Sequence, residues 1–274
     1  MDGSGVVMVT GAARGLGRAI AEAYGARRCK VALVDVLKDD VTRTAIELAE
    51  SGAVCAAYVA DTTDAGQVAD TVSRIENEMG PIAILVNNAG TFSYIGPVWE
   101  ADPDVWFRDV RTNLYGSFLC CRYVVEKMVE RNDGYVINIV SSGGVGDPHP
   151  HSTSYASSKT GLMRLTEGLA AEAAEFGVKV FAVGPPAIKT AMTDFIANDE
   201  SGKKWRPNFS SIFEEGRDAP VEEIAGFVSS LTDGDVDGLS GRFFHPRKGL
   251  QHYVDESEKI VEGDLWTLRL RIEN

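Results

Sequence analysis

The stretch VVMVTGAARGLG, residues 6–17, decides the fold of this chain. Its first four residues are apolar and read as a buried strand, and a helical pattern begins at about residue 15. Glycines 11, 15 and 17 stand at the turn between them. Glycines there let the backbone approach a pyrophosphate, and the helix N-terminus offers free N–H groups and a positive dipole end. The stretch therefore predicts a phosphate-binding strand–loop–helix unit.

The rest of the chain repeats this alternation of strand and helix. We predict strands at 6–9, 31–35, 54–59, 82–86, 135–140 and 178–183, and helices at 15–27, 40–51, 65–79, 102–131, 155–176 and 219–231. Alternation of this kind predicts an α/β fold, a doubly wound parallel sheet with helices on both faces. There is no internal repeat and no linker, so we expect residues 1–274 to form one domain.

Candidate functional residues collect where the predicted strands end. Asp35 ends the second strand, about 20 residues beyond the glycines, where an acid can accept hydrogen bonds from ribose hydroxyls. Asp61, Asn88, Ser142 and Pro185 follow other strands. Ligands of such sheets bind beyond the carboxyl ends of the strands, so we predict one shared cleft.

Composition narrows the class of protein. The 274 residues carry a net charge of −13 with 44% hydrophobic residues, which argues against nucleic acid or an anionic membrane as partner. The four cysteines show neither metal-ligand spacing nor disulfide density, so we expect reduced thiols and no metal. There is no signal-peptide pattern and no run of 18 apolar residues. We expect a soluble cytoplasmic protein.

Tyr155 and Lys159 stand four residues apart, on one face of a predicted helix. An ammonium about 5–6 Å from a phenol favours the phenolate, so we expect Lys159 to lower the pKa of Tyr155. That would make the tyrosine an acid or base near neutral pH. The hydroxyl of Ser142, thirteen residues before the tyrosine, could hold a substrate oxygen against it.

Together these motifs resemble those of the short-chain dehydrogenase/reductase family, in its compact single-domain branch. Thr10–Gly17 matches the TGxxxGxG spacing of that branch, and Asn87–Gly90 matches its NNAG. Tyr155–Lys159 matches its YxxxK. The resemblance runs from about residue 4 to residue 245, and its remaining motifs are Asn113, Asn138–Ser142 and Pro220–Ala225.

The resemblance implies a Rossmann-type fold and hydride transfer with a nicotinamide cofactor. It implies catalytic roles for Asn113, Ser142, Tyr155 and Lys159, with a main-chain kink at Asn113, and its spacing selects Ser142 over Ser141. The residues implied to bind the cofactor are Gly11, Arg14, Gly15, Leu16, Gly17, Asp35, Asp61, Thr62, Asn88, Ala89, Gly90, Tyr155, Lys159, Pro185, Ile188 and Thr190. Asp61 or Thr62 could instead be the N-cap of the next helix.

The choice between NAD and NADP depends on two residues of opposite charge. Asp35 would repel the 2′-phosphate of NADP, whereas Arg14 stands where NADP-dependent relatives often have a basic residue. We weight Asp35 more and expect NAD, with NADP the less favoured cofactor. Pro186 replaces a glycine that is usual in the family, which predicts a stiffer loop over the nicotinamide.

Two segments go beyond the common pattern. Residues 187–215 form a long insertion with six scattered apolar side chains, which we interpret as a substrate flap with an apolar inner face, or else as a subunit contact. Residues 246–274 form a C-terminal extension, with a helix at about 250–262 and a strand-like pattern at 265–272. We expect this extension to pack on a neighbouring subunit or to close over a site.

The leading functional hypothesis is an NAD-dependent oxidoreductase for a small-molecule secondary alcohol or ketone, with Tyr155 as general acid/base. The alternatives are an NADP-dependent ketone reductase, a catalytically idle NAD-binding scaffold or sensor, and an epimerase or dehydratase of a related branch. The resemblance also implies a homo-oligomer, a tetramer or dimer built on the helices at 102–131 and 155–176.

Overall fold

A computed structural model of the chain describes residues 5–270. Its centre is one sheet of seven parallel strands in the order β3-β2-β1-β4-β5-β6-β7. The strands are β1 (Val6–Thr10), β2 (Lys30–Asp35), β3 (Cys55–Val59), β4 (Ile82–Asn87), β5 (Gly134–Ile139), β6 (Val178–Val183) and β7 (Phe243–Phe244). The predicted doubly wound α/β sheet is confirmed.

Helices cover both faces of the sheet, because the central strands carry apolar side chains on both faces and each face must be shielded from water. Before β5 lie α1 (Gly15–Ala26), α2 (Lys38–Glu50), α3 (Ala65–Glu78), α4 (Pro103–Val110) and α5 (Ser117–Arg131). After β5 come α6 (Ser142–Val145), α7 (Thr153–Ala173), α8 (Ala191–Asn198), α9 (Glu200–Trp205), α10 (Ser211–Glu214), α11 (Val221–Ser230), α12 (Leu250–Asp255) and α13 (Ser257–Glu262).

Two core clusters lie on opposite faces of the sheet. On one face α1 and α11 pack beside the strands, with Ile20, Tyr24 and Val228 fully buried. On the other face α3 and α5 do the same through Ile75 and Val124. The strand order changes direction between β1 and β4, where β1 pairs with β2 on one side and with β4 on the other. A cleft opens at this point of a doubly wound sheet.

The single helix predicted over 102–131 is wrong in detail. It is divided into α4 and α5 by one wide turn of π-helix, Arg111–Gly116. A π-turn inserts an extra residue into the helical ladder and bends the axis, which agrees with the kink implied at Asn113.

The flap and the C-terminal extension also differ from expectation. The flap is not an irregular loop, because α8, α9 and α10 occupy most of it. In the extension, residues 265–270 form no strand, and residues 271 and 272 of that predicted strand lie outside the described residues. Trp266 instead packs on Phe243 and Tyr253 of the same chain, and its carbonyl accepts the amide of Phe243.

No helix within residues 5–270 is both long enough and apolar enough to cross a membrane.

Candidate active site

The glycine loop is shaped by two close approaches. Gly11 has φ +65°, and a Cβ there would lie 2.8 Å from the Cα of Ala89. A Cβ on Gly17 would lie 2.1 Å from the Gly11 carbonyl oxygen and 2.4 Å from Nδ2 of Asn88. Real side chains never come so close, so only glycine allows α1 to begin directly beneath the loop.

The start of α1 offers donors to an anion. Its N-cap, Arg14, is extended and makes no side-chain cap, and the first turn holds no acidic residue. The first N–H groups of a helix have no partner inside the helix, and the dipole adds positive potential there. The first turn of α1 thus fits a pyrophosphate.

Asn88 braces this loop from β4. Its side-chain amide donates to the carbonyls of Thr10 and Gly11, at 2.9 and 3.2 Å. The backbone amides of Asn88 and Ala89 both donate to Oγ1 of Thr10. Gly90 has no positive φ. A Cβ there would lie 3.0 Å from Oδ1 of Asn113, so a larger residue would press on that side chain.

Asp35 lies at the end of β2 and is nearly buried. Oδ2 accepts the amide of Ala13 and Oδ1 accepts the amide of Leu37, each at 3.0 Å. A carboxylate has about four acceptor positions, so two stay available for ribose hydroxyls. The next two side chains, Val36 and Leu37, are apolar and exposed.

Asp61 and Thr62 follow β3 and line the same cleft. Oδ1 of Asp61 accepts the amide of Thr63 at 2.8 Å. The prediction that Asp61 or Thr62 caps the next helix is wrong, because Asp64 is the N-cap of α3 and accepts the amide of Gln67. Asp61 therefore forms a local turn and keeps its other oxygen free of protein partners within residues 5–270.

Asn113 is fully buried in the π-turn. Its amide nitrogen donates to the carbonyl of Thr91 and to Oγ of Ser158, both at 2.9 Å, and its Oδ1 accepts the amide of Thr91. The side chain thus ties the segment after β4 to α7. Asn113 does not line the cleft and supports it from behind.

Lys159 lies on α7, and its Nζ donates to the carbonyl of Ile139 at 2.7 Å. Nζ lies 5.8 Å from the ring centroid of Tyr155, as the i, i+4 spacing predicts. Burial lowers the pKa of Lys159 to about 8, against the opposing attraction of Asp109. The ammonium is costly in this site because little water solvates it.

The expectation that Lys159 leaves Tyr155 with a lowered pKa is wrong for this structure. Burial raises the pKa of Tyr155, and the negative charge of Asp109 adds to that. Hydrogen bonding with the Ser141 side chain and the positive charge of Arg206 act in the opposite direction. The cost of desolvating the phenolate is larger than these two stabilising effects, so the tyrosine favours its protonated form.

The two serines that follow β5 differ in their surroundings, although both line the cleft. Oγ of Ser142 is inaccessible to solvent and has no hydrogen-bond partner among the described residues. Ser141 caps α6 by accepting the amide of Gly143, and its side chain acts to lower the pKa of Tyr155. The catalytic role that the thirteen-residue spacing assigns to Ser142 stays a prediction.

Asp109, which the sequence did not single out, organises the wall behind the tyrosine. It is fully buried in α4. Its carboxylate accepts from Oγ1 of Thr91, from the amide of Ser93 and from Oγ of Ser154, at 2.6 to 2.9 Å. It thereby holds the post-β4 segment against the start of α7. The role of Asp109 is visible only from the three hydrogen-bond donors around it, and the sequence does not show that these donors lie together.

The loop after β6 forms one wall of the cleft. Ile188 is buried, and Thr190 caps α8 by accepting the amide of Thr193. The side chain of Thr190 approaches the glycine loop, with its Cγ2 3.4 Å from the position of a Cβ on Gly15. The amide of Ala219 donates to the carbonyl of Ala187, so the flap is tied down at its far end as well.

The flap packs over the tyrosine. Ile196 is buried against Phe92 and Ile95, and Tyr155 contacts the same apolar cluster. Phe92 is stacked on the tyrosine ring, with centroids 4.5 Å apart and an angle of 9°. The other members of the cluster are Met192, Trp205 and Phe209. Phe195 is 40% exposed, so it does not belong to the inner face.

One cleft of about 1280 Å³ joins these parts. It contains all of the residues predicted to bind the cofactor, together with Ser141, His149 and Arg206. His149 lines the cleft, whereas His151 packs on Trp205 of the flap, with ring centroids 4.5 Å apart. The glycine loop, the free helix start and the Asp35 carboxylate fit a dinucleotide.

Comparisons with known proteins agree with this geometry. The family model described as short chain dehydrogenase matches residues 5–201. The chain belongs to the short-chain dehydrogenase/reductase family. It is therefore an oxidoreductase of a family that uses NAD(P) and acts on hydroxyl groups.

Individual members of the short-chain dehydrogenase/reductase family resemble the chain over most of its length. It is 31% identical to 2-(S)-hydroxypropyl-CoM dehydrogenase 3 of Xanthobacter autotrophicus, over 87% of this chain and 93% of that one. It is 32% identical to 2,3-dihydro-2,3-dihydroxybenzoate dehydrogenase of Bacillus subtilis, over 88% and 90%. The solved structure of levodione reductase superposes with a TM-score of 0.81 and 29% identity, over 88% and 95%.

Proposed function

We propose that the chain is an NAD-dependent oxidoreductase that interconverts a secondary alcohol and a ketone, with Tyr155 as the general acid and base. The observation that carries this proposal is the cleft itself, in which Tyr155 and Lys159 lie at one end and Asp35 at the other. The support is specific, because no packing requirement explains a buried lysine beside a partly buried tyrosine.

In the direction of reduction, the Tyr155 hydroxyl donates its proton to the ketone oxygen. The raised pKa of Tyr155 suits this role, because the phenol stays protonated at neutral pH. In the direction of oxidation, the phenolate takes the proton of the alcohol, which requires a more alkaline medium. A bound nicotinamide ring supplies the hydride acceptor or donor.

The neighbouring residues orient these groups. We assign the alignment of the substrate oxygen to Ser141 instead of Ser142, since Oγ of Ser142 is inaccessible to solvent whereas the side chain of Ser141 acts on the pKa of Tyr155. Lys159 contributes positive charge beside the phenol, which stabilises the phenolate as it forms. Asn113 holds α7 and the post-β4 segment in register, so that the tyrosine and the lysine keep their positions.

The proposal of NAD over NADP rests on Asp35. Its carboxylate is held by two backbone amides at the end of β2, where a 2′-phosphate would meet a fixed negative charge. The flanking Val36 and Leu37 offer no positive charge. Arg14 is exposed, and within residues 5–270 its side chain is in no ion pair, so it favours the NADP-dependent alternative.

Each cofactor residue predicted from the sequence has a place in this proposal. The glycine loop with Leu16 and Arg14 would hold the pyrophosphate, Asp61 and Thr62 the adenine, and Asn88–Gly90 the cofactor riboses. Tyr155 and Lys159 would hold the nicotinamide ribose. The loop with Pro185, Ile188 and Thr190 would cover the nicotinamide.

We further propose a homo-oligomer, a dimer or tetramer. On α4, the π-turn and α5 the large apolar side chains Phe107, Tyr115 and Phe118 are 42 to 55% exposed, and the last two are stacked. Exposed apolar side chains grouped on paired helices are typical of subunit contacts. Light scattering behind size exclusion tests this, and a monomer of 29.5 kDa would contradict it.

The catalytic role of Tyr155 is tested with Tyr155→Phe. This variant keeps the ring that stacks on Phe92 and loses only the hydroxyl. We expect turnover of a secondary alcohol panel to fall by about 10²–10⁴-fold while the dissociation constant for NAD⁺ stays within about twofold. Retained turnover would remove Tyr155 from the chemistry, and loss of NAD⁺ binding would point to a structural role.

A further inference from the structure

Arg206 is a cation of the active-site cleft without a partner. It follows α9 in the flap, is half-buried and lines the cleft. Within residues 5–270, its guanidinium forms no ion pair and no hydrogen bond to the protein. Several arginines elsewhere are paired, for example Arg18 with Glu22, and Arg217 with Glu215 at the other end of the flap. Arg14, Arg108 and Arg111 also line the cleft without an ion pair among the described residues, but they are exposed to solvent.

Aromatic rings surround the guanidinium. Its Cζ lies 5.8 Å from the ring centroid of Phe92 and 5.2 Å from that of Phe209. Phe92 is in turn stacked on Tyr155 at 4.5 Å, so Cζ lies no more than about 10 Å from the tyrosine ring centroid. The cation is therefore within one small molecule's length of the proposed proton donor.

Partial removal of the Arg206 guanidinium from water costs free energy, and the aromatic rings compensate only part of it. A charge removed from water without an opposite charge is among the least favourable groups in a protein interior. Contacts with ring faces offset only part of that cost. A guanidinium remains charged at all ordinary pH values, and its five donors match a carboxylate in a bidentate arrangement. An anion from solution would supply the opposite charge that Arg206 lacks.

We propose that Arg206 binds a carboxylate of the substrate, which makes the substrate a hydroxy acid or keto acid with a small apolar body. The carboxylate would pair with Arg206, the body would contact Phe92, Ile196 and Phe209, and the reacting carbon would face Tyr155. This inference rests on the proposed function for the position of the reacting carbon. The pairing of an anion with Arg206 does not depend on turnover.

Two other roles for Arg206 lead to different results. If the guanidinium contacts a cofactor phosphate, its removal weakens cofactor binding. If it only packs between Phe92 and Phe209, its removal lowers stability and changes the affinity for charged and neutral molecules equally. Both results would overturn the proposal.

The test uses matched acids and amides on the full-length protein saturated with cofactor. The probes are cyclohexanecarboxylate, phenylacetate and benzoate, each beside its carboxamide, with calorimetry as the readout. The proteins are wild type, Arg206→Gln, Arg206→Lys and the control Lys203→Ala, which removes an exposed cation from α9, the helix that Arg206 follows.

In the wild type we expect at least one acid to bind about tenfold or more tightly than its amide. Arg206→Gln should abolish that preference, Arg206→Lys should restore part of it, and Lys203→Ala should keep it. NAD⁺ affinity should be unchanged in all four proteins. The absence of acid preference in the wild type, or its survival in Arg206→Gln, would overturn the proposal.

A second measurement separates this inference from the proposed redox function. Tyr155→Phe should bind the same acid as tightly as the wild type, because Arg206 is intact. If Tyr155→Phe retains turnover while the acid preference depends on Arg206, only the proposed chemistry is wrong. If Tyr155→Phe is inactive and no acid preference exists, only the anion site is wrong.

Discussion

Ser141 and Ser142 are adjacent at the end of β5 and have opposite environments. Oγ of Ser142 is buried without a partner among residues 5–270, whereas the side chain of Ser141 acts to lower the pKa of Tyr155. We expect Ser141→Ala to lower kcat/KM by about 10²-fold, the usual effect of removing a hydrogen-bond donor at the reacting oxygen. Ser142→Ala should leave kcat/KM within about twofold and hold or raise stability, because it removes an unsatisfied buried group.

Steady-state kinetics and thermal unfolding of the two variants check this assignment. The variants are matched, since each removes one hydroxyl from neighbouring positions. If Ser142→Ala loses activity and Ser141→Ala has little effect, the catalytic serine is Ser142, as its spacing of thirteen residues from Tyr155 predicts.

Lys159 makes stability depend on pH in a defined direction. Its pKa is about 8 in the folded protein and 10.5 in the unfolded chain, so between these values the unfolded state binds more protons. The free energy of unfolding therefore rises with pH in that window. Below about pH 8, the buried charge of Lys159 lowers the free energy of unfolding by about 3 kcal/mol, at 1.36 kcal/mol per pKa unit.

We accordingly expect Lys159→Met to be more stable than the wild type at pH 7, by about 2 kcal/mol once the lost hydrogen bond to Ile139 is counted. The gain should shrink as the pH rises from about 8 to beyond 10.5, because the lysine is neutral in both states only above that range. Urea unfolding at a series of pH values measures this, with Lys203→Met as the exposed control. A gain that does not change with pH would show that charge is not its cause.

At the scale of elements, the C-terminal extension stabilises the sheet edge. Trp266 stacks on Phe243 of β7, with centroids 6.2 Å apart, and contacts Tyr253 of α12. The amide of Leu268 donates to Glu167 of α7 at 2.8 Å. The described part of the extension therefore packs Trp266 within its own chain, while Leu265 and Leu270 stay 42% and 86% exposed. Packing of the extension on a neighbouring subunit stays a prediction.

Trp266→Ala should lower the free energy of unfolding by about 3 kcal/mol, as large-to-small changes of packed aromatic residues do. Leu270→Ala is the control, because Leu270 is 86% exposed and should change stability by less than about 0.5 kcal/mol. Chemical denaturation gives both values. Equal effects of the two variants would mean that the packing of Trp266 contributes nothing.

At the scale of the whole molecule, the cleft links cofactor binding to the stability of the entire sheet, since its lining comes from the ends of β1, β2, β4 and β5. A ligand at about 100 times its dissociation constant adds about 2.7 kcal/mol. We expect NAD⁺ and NADH to raise the melting temperature more than NADP⁺ and NADPH at equal concentration. A larger shift with the NADP pair would give Arg14 the decisive role over Asp35.

Much of the fold and of the site was predictable from sequence, because it depends on residues that are close together in the chain. The glycine spacing of residues 11–17 and the carboxylate of Asp35 follow from what a strand–loop–helix unit can accommodate around a phosphate. The i, i+4 pairing of Tyr155 and Lys159 follows from helix geometry alone. Strand alternation predicted six of the seven strands to within a residue or so at each end.

Other properties depend on groups that are distant in sequence. Which serine faces Tyr155 depends on how the backbone leaves β5, and the pKa values of Tyr155 and Lys159 depend on how completely water is excluded around them. The segment after α9 brings Arg206 over the ring stacked on Tyr155. The sequence by itself determined the sheet, the glycine loop and the residue types of the site, since these follow from periodicity and backbone sterics. Only the tertiary structure decided the electrostatics and the selectivity of the cleft, because burial and charge pairing arise when separate elements pack together.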